Sequence, residues 1–317
     1  MILSVSRRTD IPAYYSEWFV NRLQSGFVLT RNPMNHAQIS KIELSPDIVE
    51  CIVFWTKDPL NMLDKLDFID ELGYKYYFQF TLTPYDRSVE MRLRDKEEII
   101  NTFCDLSEKI GKDRVLWRYD PIILNDKFDF AYHKEQFSKL SSMLAGYTRQ
   151  CTISFVDLYP KLKTNILREI REDEMIEVGK MFSSIANDFN IIVKACSENS
   201  ILHKCGIEQA NCIDKYLLES ICGCSLDIKR DKNQRDSCGC YESIDIGSYN
   251  TCKNGCVYCY ANYSDISVIN NCKRHNPYGE LLIGDIGSDE KIAMRTLKTH
   301  KNCDLHSIFR SEWELKH

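Results

Sequence analysis

Along residues 1–220 the hydrophobic and polar positions sort into two kinds of segment. Short runs rich in β-branched and aromatic residues stand at Ile2–Val5, Cys51–Trp55, Tyr76–Leu82, Arg114–Trp117, Thr152–Val156 and Ile191–Ala195. Several are almost continuously apolar, as strands buried on both faces are. Between them lie Tyr14–Leu23, Lys96–Lys109, His133–Leu144, Asp173–Ala186 and Ile213–Ser220, whose spacing predicts helices. Strands that return about every 35–40 residues with helices between them predict a parallel α/β sheet. The natural closed form of such a sheet is a TIM-like β/α barrel, complete or partial, which residues 1–220 would build.

Polar residues follow these strands in a repeated way. SVS leads to Arg7, Arg8, Thr9 and Asp10, and FWT leads to Lys57 and Asp58. FQFTLT leads to Tyr85 and Asp86, VLW to Arg118, Tyr119 and Asp120, and VKA to Cys196 and Glu198. The C-terminal strand ends of an α/β barrel converge on one mouth, so these five groups are expected to share a site. The alternative for any one of them is a loop residue that caps a helix or pairs with a neighbour.

From about Ile221 the pattern changes. Helical periodicity fades, cysteine density rises, and Gly, Asn, Asp and Tyr become frequent. Residues 221–262 read as a loop-rich, metal-binding region and 263–317 as a tail packed on the barrel. The whole chain of 317 residues carries 44% hydrophobic and 27% charged residues and a formal net charge of −5. That is a globular composition, and its sign gives no support to broad binding of a nucleic-acid backbone, although a local basic groove can hide in a sum. The start, MILSVSRRTDIPAYY, lacks the pattern of a secretory signal, and no apolar run reaches the ~18 residues of a membrane-spanning helix. The 15 cysteines are therefore expected in a reducing cytoplasm, where clustered thiolates hold metal more often than they pair.

The densest signal is Thr251–Asn262, TCKNGCVYCYAN, with Cys252, Cys256 and Cys259 spaced C-x3-C-x2-C. Three thiolates on one short loop can each bind one iron of a [4Fe–4S] cube and leave the fourth iron open, whereas clusters dedicated to electron transfer use four cysteines. Zinc is the competing reading: Cys256 and Cys259 make one C-x2-C pair, and Cys238 or Cys240 could complete it.

The open-iron arrangement resembles the radical S-adenosylmethionine (SAM) superfamily, in which the amino and carboxylate groups of SAM chelate the fourth iron. The likeness extends to FWTKDP, FQFTLTPYDRSVE and WRYDPII, which are similar to consecutive strands of spore photoproduct lyase and its relatives. The chain also looks like a bacterial family of unassigned function with an N-terminal SVSRRTDIP and a C-terminal cysteine cluster. The resemblance covers residues 1–262 and implies reductive cleavage of SAM to a 5′-deoxyadenosyl radical that abstracts hydrogen from substrate. It makes Lys57 a candidate for the SAM carboxylate, Thr81 or Thr83 a hydroxyl contact, and Tyr258 a neighbour of the adenine. Arg118 and Asp120 would orient SAM or substrate; as an internal ion pair at the barrel mouth they have a purely structural reading too. Most radical SAM enzymes carry the cluster loop after their first strand. Here it follows the other strands, as in a circular permutation, with Asp245–Gly247 expected to complete the sheet beside Ile2–Val5.

A second metal site, a [4Fe–4S] cluster or zinc, is expected from Cys196, Cys212, Cys238 and Cys240, with Cys222 and Cys224 able to replace any of them. Cys51, Cys104 and Cys151 read as small core residues, and Cys272 and Cys303 have no assigned role. His36, after the strand-like FVLTRNP, could face the substrate or be a loop histidine without a metal role. No Ser/His/Asp constellation, P-loop or G-x-G-x-x-G is present. The expected partners are a small-molecule or nucleotide substrate, a nucleic-acid lesion among them, and an external electron donor such as flavodoxin or ferredoxin. The rival class is a zinc-binding or redox-sensing protein without SAM chemistry.

Overall fold

A computed structural model describes residues 1–159, 164–196, 200–235 and 237–302. The chain opens with β1 (Ile2–Val5), α1 (Ile11–Tyr14) and α2 (Ser16–Ser25), then a hairpin of β2 (Phe27–Asn32) and β3 (Asn35–Glu43). It continues through β4 (Cys51–Thr56), α3 (Leu60–Leu63), α4 (Leu66–Glu71), β5 (Tyr76–Thr81), α5 (Lys96–Ile110), β6 (Val115–Ile122), α6 (Phe130–Leu144) and β7 (Gln150–Phe155). After α7 (Glu172–Asp188) come β8 (Ile192–Ala195), β9 (Glu208–Gln209), α8 (Lys215–Cys222), β10 (Ile244–Asp245), α9 (Asp265–Lys273) and β11 (Lys291–Met294).

The central sheet has eight strands in the order β10-β1-β4-β5-β6-β7-β8-β9, and every neighbouring pair is parallel. Its edges are β10 and β9. The expected partner of β1 is present, since Leu3 and Ser4 stand opposite Ile244 and Asp245. The Asp245 carboxylate locks that edge, accepting from Ser4 Oγ at 2.8 Å, Ser6 Oγ at 2.7 Å and the Arg7 N–H at 2.8 Å.

Side chains alternate across the sheet. Leu3, Val5, Ile52, Phe54, Tyr76, Phe78, Phe80, Trp117, Tyr119 and Ile153 pack into the main core with Phe103, Phe137, Val178 and Phe182 of the helices. Ile2, Cys51, Val53, Tyr77 and Leu116 join a separate core with Cys212, Ile213, Leu218, Leu226, Ile228 and Cys240. Farther along the same face the residues turn polar: Ser6 after β1, Lys57 after β4, Thr81 on β5, Arg118 and Asp120 on β6, and Ser154 on β7. The second face is thus plugged with apolar side chains at the strand starts and open to polar chemistry at the strand ends.

The structure moves several expected boundaries. The expected helix Tyr14–Leu23 is two helices that meet at Tyr15, a residue outside helical geometry that terminates α1 and begins α2. Strand β6 runs on through Ile122, so Arg118 and Asp120 lie within it rather than beyond it. The expected helix Ile213–Ser220 begins at Lys215, because the Asp214 side chain caps it by accepting from Leu217 N. A three-stranded sheet of β11, β3 and β2 was not anticipated. His36, expected in a loop, lies exposed on β3. In the 263–302 part of the tail, Trp18 Nε1 donates to Gly279 O at 2.9 Å and Leu29 N to Glu280 O at 3.0 Å, which ties that segment to α2 and the hairpin.

Candidate functional site

The strand ends open on a cavity of about 480 Å³. Its wall includes Ser6–Asp10, Trp55–Lys57, Thr81, Arg118, Asp120 and Ser154–Asp157, and both expected cysteine sets reach it: Cys252, Cys256 and Cys259, and Cys196, Cys212, Cys238 and Cys240.

The TCKNGCVYC loop is held there by backbone pairing. Val257 N donates to Val89 O at 3.0 Å, and Arg92 N donates to Asn254 O at 3.1 Å. Gly255 makes the turn between the first two cysteines at φ +69°, a conformation costly for residues with a Cβ. Tyr15 Oη donates to Thr251 O at 2.6 Å, and Asn262 Nδ2 to Cys252 O at 2.6 Å. Asn254 binds Tyr14 Oη at 2.6 Å through its carbonyl and Asp10 Oδ2 at 3.2 Å through its amide. Asp10 also accepts from Lys57 N at 2.8 Å, so one carboxylate connects the loops after β1 and β4 with the cysteine loop. Burial raises its carboxyl to about 6, against the hydrogen bonds it accepts.

Glu90, fully buried, is the second hub. It accepts from Lys57 Nζ at 2.7 Å and Thr83 Oγ1 at 2.8 Å, and also from Tyr258 Oη and Lys96 Nζ. Burial alone would raise its carboxyl; Lys57 and Lys96 outweigh that and hold it at about 2. Lys57 lies over the Tyr258 ring, 5.4 Å from its centroid. Burial pushes the Cys256 thiol up to about 12 against the pull of Lys57, and raises Cys252 and Cys259 as well. That raises the cost of forming the thiolates, which a metal that replaces their protons would have to offset. Among the described residues no three His, Cys, Asp or Glu side chains converge as ligands of one ion would. A cube places each thiolate on a different iron, so its ligands need to ring a void rather than meet at a point. Three half-buried thiols on a cavity wall fit that requirement.

The other set is assembled from distant segments. The Cys196 and Cys212 sulfurs lie 3.2 Å apart, Cys212 contacts Cys240, and Cys240 contacts Cys238. The sheet positions Cys212 directly, because Tyr77 Oη and Gln79 Nε2 each donate to its carbonyl at 2.7 Å. Arg118 Nη1 reaches the Cys212 sulfur at 2.8 Å, while its Nη2 binds Asp120.

Not every expected residue arrives. Thr81 lines the cavity, whereas Thr83 is buried behind it on Glu90. Asp58 instead pairs with Arg94, Tyr85 Oη donates to Pro121 O at 2.9 Å within the main core, and Asp86 pairs with Lys127 on the surface. Tyr119 faces the helices, and Glu198 and Cys303 lie outside the described residues. Cys222 donates to Glu50 O at 3.3 Å, before the start of β4, and neither it nor Cys224 lines the cavity. Cys51 and Cys151 are fully buried core residues, as expected, and Cys104 is half-buried. Sequence reasoning gave no role to Glu90, Asn254, Gln79 or Tyr77. Glu90 stood within the recognised SVE segment and Asn254 within the cysteine loop; Gln79 carried a signal as a polar residue inside an apolar strand.

With this geometry in hand, the chain belongs to the family described as domain of unknown function DUF1848, whose model matches residues 2–261. No curated protein matches it.

Proposed function

Taking that membership as the premise, we propose that the chain is a radical SAM enzyme whose [4Fe–4S] cluster is held by Cys252, Cys256 and Cys259. One observation carries the reading: a C-x3-C-x2-C loop, clamped to residues 89–92, presents three half-buried thiols to the cavity that also receives Lys57, Thr81, Arg118 and Asp120. When bound, the cluster would supply the electron that cleaves SAM and leave one iron for SAM to chelate.

The chain's own residues then have definite work. Lys57, fixed by Glu90, holds a positive charge beside the cluster loop, where a SAM carboxylate would sit. Tyr258, anchored on the same carboxylate, offers a ring for the adenine, and Thr81 offers a hydroxyl. Arg118 and Asp120 line the same cavity and would orient SAM or substrate. We read the sheet as a TIM-like barrel, complete or partial, circularly permuted so that the strand before the cluster loop lies beside β1. We read the compartment as a reducing cytoplasm, where an electron donor such as flavodoxin or ferredoxin would serve the cluster. The substrate is a small molecule or nucleotide.

The test is SAM cleavage by anaerobically reconstituted, dithionite-reduced protein. Wild type is expected to form 5′-deoxyadenosine and Cys256→Ala to form none. A wild type that carries a full cluster and never cleaves SAM, with or without candidate substrates, overturns the reading. A protein that takes up only zinc supports the zinc-binding or redox-sensing alternative.

A further inference from the structure

We propose that Cys196, Cys212, Cys238 and Cys240 form a second metal centre, ligated by four thiolates and charge-compensated by Arg7 and Arg118. It does not depend on SAM chemistry at the first set.

The four residues come from separate parts of the chain: the end of β8, the turn before α8, and the Cys-Gly-Cys segment before β10. Chance packing of small apolar residues does not require that their sulfurs touch, yet here they form a continuous line, Cys196 to Cys212 to Cys240 to Cys238. The backbone is shaped for this approach. A Cβ on Gly239 would lie 2.0 Å from Asn211 Oδ1, so a larger residue between Cys238 and Cys240 would have to displace the Asn211 side chain on the turn that carries Cys212. Tyr77 and Gln79 fix that turn from below, the kind of outer support that orients metal ligands.

Charge gives the second, independent reason. Arg7 and Arg118 both lie over the Trp55 ring, at 5.1 and 5.5 Å from its centroid; Arg118 reaches the Cys212 sulfur, and Arg7 lies within electrostatic range of Cys240 and Cys212. Arg118 has Asp120 as a partner, but Arg7 Nη2 is buried with no hydrogen-bond partner. The nearby Asp245 carboxylate does not bond that nitrogen, and a guanidinium nitrogen buried without a partner is unfavourable unless a further anion meets it. Four thiolates around zinc, or around a [4Fe–4S] cube, carry net negative charge and supply that anion. Four protein ligands leave no open position, so the centre is structural or electron-transferring rather than a second site for SAM.

The experiment uses the full chain with the first set removed, Cys252→Ala/Cys256→Ala/Cys259→Ala. It is reconstituted anaerobically with iron and sulfide, and separately titrated with zinc. Uptake of about 4 iron with visible absorption identifies a cluster, and uptake of about 1 zinc identifies a single tetrahedral ion. Either supports the proposal if adding Cys238→Ser/Cys240→Ser returns uptake to background. Uptake no greater than in the variant lacking all seven cysteines overturns it. If the triple variant does not fold by circular dichroism, Cys212→Ser in the otherwise wild-type chain decides: roughly halved iron, or loss of zinc, supports the centre, and unchanged metal content overturns it. The triple variant cannot cleave SAM by the proposed route, so failure of SAM cleavage in wild type leaves this result standing.

Discussion

On the helix side of the sheet, Trp117 stacks on Phe137 at 5.2 Å and Phe137 on Phe182 at 3.8 Å between ring centroids. One residue farther along the same strand, and on its opposite side, Arg118 reaches a thiol and a carboxylate. The first face is finished by apolar burial, which needs no ligand. The second is apolar only at the strand starts and ends in buried charges, thiols and empty volume. The comparison teaches where stability should depend on occupancy: on the cavity face and not on the helix face. The largest expected effect tests the independent half. Phe182→Ala, at a fully buried position, should cost about 3–5 kcal/mol. Denaturant unfolding should give the same loss with metal bound and after chelation; a loss that varies with metal content would break the distinction.

The next effect also belongs to the helix side. His133 is fully buried between Tyr119 and Ile123. The Ile123 carbonyl can only accept, at 2.8 Å, so Nε2 carries the proton and Nδ1 accepts from Tyr119 Oη at 2.8 Å. Burial, partly offset by the Ile123 bond, lowers the imidazole from 6.5 to about 4. Between those values the unfolded chain binds a proton that the folded chain refuses, so stability falls as pH drops from 6.5 toward 4 and levels off below. At 1.36 kcal/mol per unit the loss approaches about 3 kcal/mol. His133→Gln keeps a donor and an acceptor without titrating, and should flatten urea-unfolding stability across that window. An unchanged slope would assign the acid sensitivity to the cavity face.

The two faces also differed in how far they could be read from sequence. Strands such as CIVFWT announce themselves because both faces are apolar at their starts, and the polar residues after them pointed to a shared mouth. The three-cysteine loop was legible because its ligands are neighbours and its turn needs one glycine. The second set is a contact of residues far apart in the chain. Composition could nominate Cys196, Cys212, Cys238 and Cys240, but only the tertiary path of the segment over Tyr77 and Gln79 brings them together. Asp58 and Asp86 were misread because an acidic residue after a strand looks the same whether it enters a site or meets Arg94 or Lys127. The β2–β3 hairpin was missed because β3 is exposed over much of its length and lacks an apolar pattern.

A smaller effect sharpens the cavity side. Tyr77→Phe removes one of two donors to the Cys212 carbonyl while Gln79 keeps the other. The fold should lose only about 1 kcal/mol. Metal affinity of the second set should fall about 10-fold, since a support behind a ligand is gone. Competition with a chromophoric chelator measures it in the variant lacking the first three cysteines. Affinity unchanged at that level would mean that the plug does not position Cys212.

The smallest effect is the most discriminating, because its sign should depend on occupancy. Arg7→Met keeps a long side chain against Trp55 and removes a guanidinium whose Nη2 has no partner. In the metal-free chain, removing that buried charge should stabilise the fold by about 1 kcal/mol. In the loaded chain the same charge faces a negative metal–thiolate group, so its removal should destabilise by a similar amount. Thermal unfolding of wild type and Arg7→Met, each before and after metal loading, forms a closed cycle that isolates the coupling. A change of the same sign and size in both states would mean that Arg7 does not sense the metal, and the cavity face would then owe its charges to packing alone.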